Sequence, residues 1–157
     1  MSIRYELSDR LGITIMFDIK IEDLIPHRNS MKLLDEIIEI DDTHCITSAT
    51  VSSDWPLIED GYIDPIILIE LAAQTAGVSF GWHEYQQGKL TIGRLGWLVG
   101  IKSAGFYRDK IPVNSKIIMA VEDRKSDDIY AEISCTASLE SETIARMVLQ
   151  VFRTETK

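Results

Sequence analysis

The sequence predicts an α+β domain in which an antiparallel sheet wraps around one long helix. Three observations predict it. From Pro65 to Trp82 only Glu70 is ionisable, and hydrophobic residues fall on every side of a helical projection, which marks a buried helix. Segments that alternate apolar and polar residues lie both before and after that stretch. No repeat, low-complexity run or Gly/Ser/Pro-rich linker divides the 157 residues, a length sufficient for one core without a disulfide or metal staple. Strands on both sides of one buried helix close most economically by packing the sheet around it.

The elements follow in order. Residues 1–18 read as an N-terminal extension to a single domain over 19–157, and Met16 offers an alternative start to Met1. Ile19–Leu24 predicts a short helix that must end before Pro26. Leu33–Ile40 and His44–Ser52 read as strands joined by an Asp41-Asp42-Thr43 turn, and Asp54–Asp64 as a loop. Asp64 is a natural N-cap with Pro65 at the first helical position, and the helix then runs to about Glu84, with Gly88 as its breaker. Leu95–Phe106, Lys116–Glu122, Ile129–Ala137 and Thr143–Arg153 complete the strands. In the third of these Ile129, Ala131, Ile133, Cys135 and Ala137 share the inward face; in the last it is Ala145, Met147, Leu149 and Val151.

Composition narrows the function classes. A net charge of −9 argues against nucleic acid, which demands a basic footprint. Pro65–Trp82 carries Glu70, Gln74 and several small residues, so it falls short of a membrane span. Arg4, Glu6, Asp9, Arg10 and Asp18 interrupt any signal-peptide core, and a cytoplasmic protein is expected. Cys45 and Cys135 lie in strand-like segments without metal-ligand spacing; they read as reduced core thiols, and no metal or cofactor is expected. Between Lys89 and Lys116 six basic residues face one acid, so that segment is +5 and the rest of the chain −14. Such segregation suits an acidic partner or a phosphate, and equally an ordinary solvated face.

Glu70 is the centre of the functional reading. A carboxylate in an apolar setting must be paired, hydrogen-bonded or shifted in pKa, and a group so held serves either as a general acid or base or as a structural anchor. Gln74, four residues on, shares its helical face and can reach back to it.

Three motifs carry a resemblance. Ile25-Pro26-His27-Arg28 with Met31-Lys32-Leu33-Leu34-Asp35, then Ile69-Glu70-Leu71-Ala72-Ala73-Gln74-Thr75-Ala76-Gly77, then Leu98-Val99-Gly100-Ile101-Lys102 with Phe106 and Arg108, occur in that order. They resemble the hotdog-fold 3-hydroxyacyl-(acyl carrier protein) dehydratases over about Ile19 to Phe152, and most of all the divergent branch associated with aryl polyene and related polyketide-like clusters. The resemblance implies a homodimer or higher homo-oligomer and an acyl thioester substrate, on acyl carrier protein or coenzyme A. It also implies a site at the dimer interface, where a histidine of one subunit removes the proton alpha to the thioester and a helix acid of the other protonates the departing hydroxyl. Glu70 falls at the acid position and Gln74 at its supporting glutamine. Backbone amides at the helix N-terminus and near Gly100 would hold the thioester oxygen, and Lys102 and Arg108 would belong to the substrate-binding surface.

The chain departs from that pattern at the base. Where the family places its histidine, the loop reads Asp54-Trp55-Pro56-Leu57, and Trp55 has no basic nitrogen. Asp64-Pro65 replaces the family's Pro-Gly, and Pro65 donates no amide. Trp55 is expected either to wall an acyl tunnel or to pack in the core, and Asp64 to act as a substitute base or a helix cap. His27 falls at a position that looks structural, His44 is expected near the surface, and His83 lies too far along the helix to meet Glu70 within one chain. Three functions stay open: a dehydratase-like or isomerase-like enzyme, an acyl thioesterase, and a non-catalytic acyl-binding subunit of a heteromeric dehydratase.

Overall fold

The computed structural model of the chain describes residues 3–8, 14–88, 96–127 and 129–153. β1 (Ile3–Ser8) and β2 (Thr14–Ile19) form an antiparallel hairpin of their own. α1 (Ile21–Leu24) is a single turn, started by the Asp23 carboxylate accepting the Lys20 N–H at 3.0 Å and stopped ahead of Pro26. β3 (Glu36–Ile40) and β4 (His44–Thr50) follow. Asp41 builds the turn between them: its Oδ1 accepts the N–H groups of Thr43 (2.7 Å) and His44 (2.9 Å), and the Thr43 bond above all holds its carboxyl below the usual range.

The expected loop 54–64 contains a small hairpin, β5 (Ile58–Glu59) and β6 (Tyr62–Ile63). Asp60 and Gly61 sit between them with φ of 49° and 80°, the paired left-handed conformation that an Asp-Gly two-residue turn adopts readily. That dipeptide was the signal for the hairpin. α2 (Ile67–Gln86) is the central helix, closed by Gly88 at φ 69°. β7 (Gly96–Phe106), β8 (Ile111–Pro112), β9 (Lys116–Ser126), β10 (Tyr130–Leu139) and β11 (Glu142–Arg153) complete the chain, with β8 pairing β6.

The main sheet is antiparallel throughout, in the order β3-β4-β9-β10-β11-β7. Its inner face carries Ala131, Ile133, Cys135 and Ala137 of β10 and Ala145, Met147, Leu149 and Val151 of β11, all buried against Leu68, Leu71, Ala72 and Ala76 of α2. This is the hotdog fold. Ile129, expected inward, lies before β10 begins and is exposed, because the alternation is imposed only once the ladder with β11 starts at Tyr130. Cys45 and Cys135 are buried free thiols, each pushed up to about 12 by burial.

The last strand departs from the pattern. Leu98, Ile101 and Phe106 stand opposite Val151, Leu149 and Ala145, on the core side, yet remain 38–46% exposed. Their partners on β11 are buried. Register shifts at Val99 and Lys102 bend β7, and its outer edge pairs with no strand among the described residues. The open edge strand thus exposes Trp97, Leu98, Val99, Ile101 and Phe106.

Candidate active site

Glu70, Gln74, Gly77 and Gly81 recur at i, i+4, i+7 and i+11 and therefore line one face of α2. The chain from α1 to Leu34 docks on that face. A Cβ at Gly81 would lie 2.5 Å from the Leu24 carbonyl oxygen and one at Gly77 3.2 Å from Ile25 Cγ2, so the two glycines make the depression in which Leu24 and Ile25 rest. Gly81→Ala must shift backbone, at about 1–3 kcal/mol, against a gain in helix propensity of roughly 1 kcal/mol. Its melting temperature is expected to fall below the parent's. Gly77→Ala meets only a movable methyl and should stay near neutral, so equal melts for the two would contradict this docking.

Gln74 fastens the far end of the segment. It is 1% exposed; its Nε2 donates to Met31 O (2.7 Å) and to Glu70 Oε1 (2.8 Å), while its Oε1 accepts the Leu33 N–H (2.9 Å). Arg28 ties the middle, donating to the carbonyls of Ile25 (2.7 Å), His27 (2.8 Å) and Glu22 (2.8 Å). Lys32 pairs with Glu22, and that hydrogen bond is the main cause of the lowered Glu22 carboxyl pKa. The result of these ties is a contact the sequence reading did not foresee. His27 Nε2 stands 3.3 Å from Glu70 Oε1.

Glu70 is thus held by an amide and faces an imidazole from the same chain. Its side chain is 39% exposed and that of His27 31%, so the acid is half-buried rather than enclosed as the uncharged helix suggested. Helical projection counts neighbours on the helix itself and does not show which part of its face other segments cover. His27 Nδ1, by contrast, is buried and has no hydrogen-bond partner among the described residues. The signal that could have found the pair was the glycine stripe together with Pro26: close docking of α1 on Gly77 and Gly81 carries the next residues back over Glu70.

The other expected site residues lie elsewhere. Asp64 is exposed and its Oδ1 accepts the Ile66 N–H at 2.9 Å; its backbone oxygen accepts from Ile67 (3.2 Å), and that of Pro65 from Leu68 (3.0 Å). A tight turn therefore precedes α2, which starts at Ile67 rather than Pro65; the Asp64 carboxylate closes that turn on the Ile66 N–H, and the N-cap position itself is Ile66, without a side-chain cap. The same bonds occupy the amides that were expected to receive a thioester oxygen. Trp55 is buried in the core cluster.

Gly100, Lys102 and Arg108 are not gathered around Glu70. Lys102 bonds Glu132 at 2.9 and 3.1 Å on the sheet face away from α2, where Tyr130 OH donates to Glu132 (3.0 Å) and Gln150 Nε2 to Tyr130 OH (2.8 Å). A Cβ at Gly100 would come 2.5 Å from Gln150 Oε1, so its lack of a side chain makes room for that polar chain. Arg108 pairs with Glu142 (2.6 Å), Lys116 with Glu36 (3.8 Å), and Lys110 stands 5.6 Å over the Tyr62 ring. The basic segment is therefore largely matched by this chain's own acids; Lys89 and Arg94 fall outside the described residues. His44 is half-buried between Glu39 and Asp41, and His83 lies thirteen residues beyond Glu70 on α2.

A helix carboxylate steadied by a glutamine four residues on thus stands on the central helix of a hotdog fold. The chain belongs to the ApeP-like family, the family of the ApeP dehydratase, whose model matches residues 19–157. It is 27% identical to the 3-hydroxyacyl-(acyl-carrier-protein) dehydratase FabZ of Streptococcus uberis, over 83% of this chain and 93% of that protein. It is also 27% identical to FabZ of Agrobacterium fabrum, over 81% and 82%. Among solved structures it is similar to the dehydratase heterocomplex ApeI:P from Xenorhabdus doucetiae, with a TM-score of 0.81 at 22% identity over 88% and 93% of the two chains. A hypothetical thioesterase with coenzyme A from Streptococcus pneumoniae shares the fold at a TM-score of 0.59 and 15% identity, over 78% and 87%. Among the described residues no helix is long and apolar enough to cross a membrane.

Proposed function

We propose that this protein, in the cytoplasm, removes water from 3-hydroxyacyl thioesters delivered on acyl carrier protein, with Glu70 protonating the departing hydroxyl. The observation that carries the reading is the placement of Glu70: half-buried, oriented by Gln74 and in contact with an imidazole. Such a carboxyl can give and recover a proton, as elimination of water requires. The membership in a dehydratase family and the likeness to FabZ proteins support the substrate class. The apolar residues of β7 would border the acyl chain. Exposed Lys110, with Lys102 and Arg108 after exchange of their partners, would meet the acidic carrier.

The test is to incubate the purified protein with 3-hydroxyacyl and saturated acyl thioesters of carrier protein and of coenzyme A. Loss of one water from the hydroxyacyl chain is expected. Release of free thiol instead would establish a thioesterase, and neither product would leave an acyl-binding subunit.

The site is completed by a second copy of this chain, laid edge to edge along β7. Antiparallel pairing of the two β7 strands would continue the sheet and cover Leu98, Ile101 and Phe106. Ile101→Glu places two charges in that interface. Losing roughly 1.5–3 kcal/mol of burial per side chain, it should weaken the dimer by about 100-fold or more, read as a monomer by light scattering. A parent chain that stays monomeric, and pairs only with a different hotdog chain, would favour the heteromeric reading.

A further inference from the structure

We propose that His27 is the base of this site, acting on the substrate from the same chain as Glu70, so that catalysis needs no histidine in the Trp55 loop. The inference deepens the dehydration reading above and rests on it. It starts from a vacancy and a surplus. The loop that ought to supply a base carries Trp55, whose ring has no basic nitrogen and is buried in the core. The segment that looked merely structural places an imidazole nitrogen 3.3 Å from the acid.

The placement is built rather than incidental. Three carbonyl-directed bonds from Arg28, two bonds from Gln74 to the backbone of Met31 and Leu33, and the close seat of Leu24 and Ile25 on Gly81 and Gly77 all fix the chain around His27. The ring is turned so that Nε2 meets the carboxylate, while Nδ1 is buried and meets no polar group among the described residues. Among the described residues the charged group in contact with the ring is the Glu70 carboxyl; the neighbouring Arg28 guanidinium is directed at carbonyl oxygens, and Glu22 and Lys32 pair with each other.

Chemistry makes use of the contact. In a 3-hydroxyacyl thioester the acidic hydrogen and the hydroxyl sit on neighbouring carbons, so an acid and a base side by side straddle them. His27 Nε2 takes the proton from C2. The electron pair of the C2–H bond becomes the second bond between C2 and C3 as the C3–O bond breaks, and the oxygen leaves with the Glu70 proton as water. The proton on His27 then crosses to the Glu70 carboxylate through their contact, and both groups return to their starting state. No other reactant is consumed.

The experiment uses the full chain and two readouts. Water loss is followed with 3-hydroxyacyl-carrier protein, and exchange of the C2 hydrogens with a saturated acyl-carrier protein in heavy water. His27→Gln should fold and melt like the parent, lose water elimination by about 10²–10⁴-fold with little change in KM, and lose C2 exchange. His27→Ala should regain part of both activities when imidazole is added. If the parent dehydrates and His27→Gln dehydrates equally well, this inference falls and the dehydration reading stands. If the parent releases no water from any hydroxyacyl thioester, both fall.

Discussion

Glu70→Gln is expected to abolish water elimination almost completely while leaving the fold intact. The replacement is isosteric, and its amide oxygen can still accept the Gln74 Nε2 hydrogen bond that now measures 2.8 Å to Glu70 Oε1. Gln74 in turn keeps its bonds to Met31 and Leu33, so the loop stays seated. What disappears is a transferable proton. General acid catalysis contributes about 10²–10⁴-fold, and a loss of that size in kcat at nearly constant KM is the predicted result. Circular dichroism and the thermal melt should coincide with those of the parent. A variant that turns over hydroxyacyl thioester as fast as the parent would remove Glu70 from the chemistry. A variant that melts much earlier would make it a structural anchor, the role that the sequence left open beside catalysis.

Gln74→Leu should produce the largest loss of stability. The side chain is buried and satisfies groups on both sides: the Leu33 N–H, the Met31 carbonyl and the Glu70 carboxylate. Leucine fills a similar volume yet strands the buried Leu33 N–H, at about 1–3 kcal/mol, and the part-buried Met31 carbonyl at about 1 kcal/mol. A total of roughly 2–4 kcal/mol corresponds to a fall of about 5–15 °C in melting temperature for a domain of this size. Melts should be compared at equal protein concentration, since association raises the apparent value. Hydrogen exchange at the Leu33 amide should accelerate more than exchange in β10. An unchanged melt would mean that solvent replaces Gln74 without penalty, and the segment 27–33 would then not be anchored as described.

Several parts of this molecule follow from local patterns. The alternation in β10 and β11 is a period of two that only a half-buried strand satisfies, and both strands bury the residues it selects. The uncharged stretch after Asp64 could only be a helix inside the core, and α2 falls there, two residues later than the cap suggested. Pro26 and Gly88 stop helices for reasons internal to the backbone. Glu70 and Gln74 share a face by helical spacing alone, and their hydrogen bond is a consequence of it. Family motifs carried the fold further, because they record packing that a single helix or strand does not display.

What lay beyond local pattern is whatever depends on one segment approaching another. The sequence determined that Glu70 would need a partner; only the tertiary structure decided that the partner is His27, forty-three positions earlier. That choice is made by Gly77 and Gly81, which let α1 and Ile25 close onto α2, and by the bonds of Gln74 and Arg28 that fix the loop. Distances in sequence carry no information about such closeness, since chain entropy penalises long loops only weakly and packing selects among them. The same holds for Lys102 and Arg108: their charges were legible, but the acids that match them, Glu132 and Glu142, were assigned by sheet register. Local sequence fixes which groups need neighbours through period and backbone geometry; shape and packing decide which neighbours they receive.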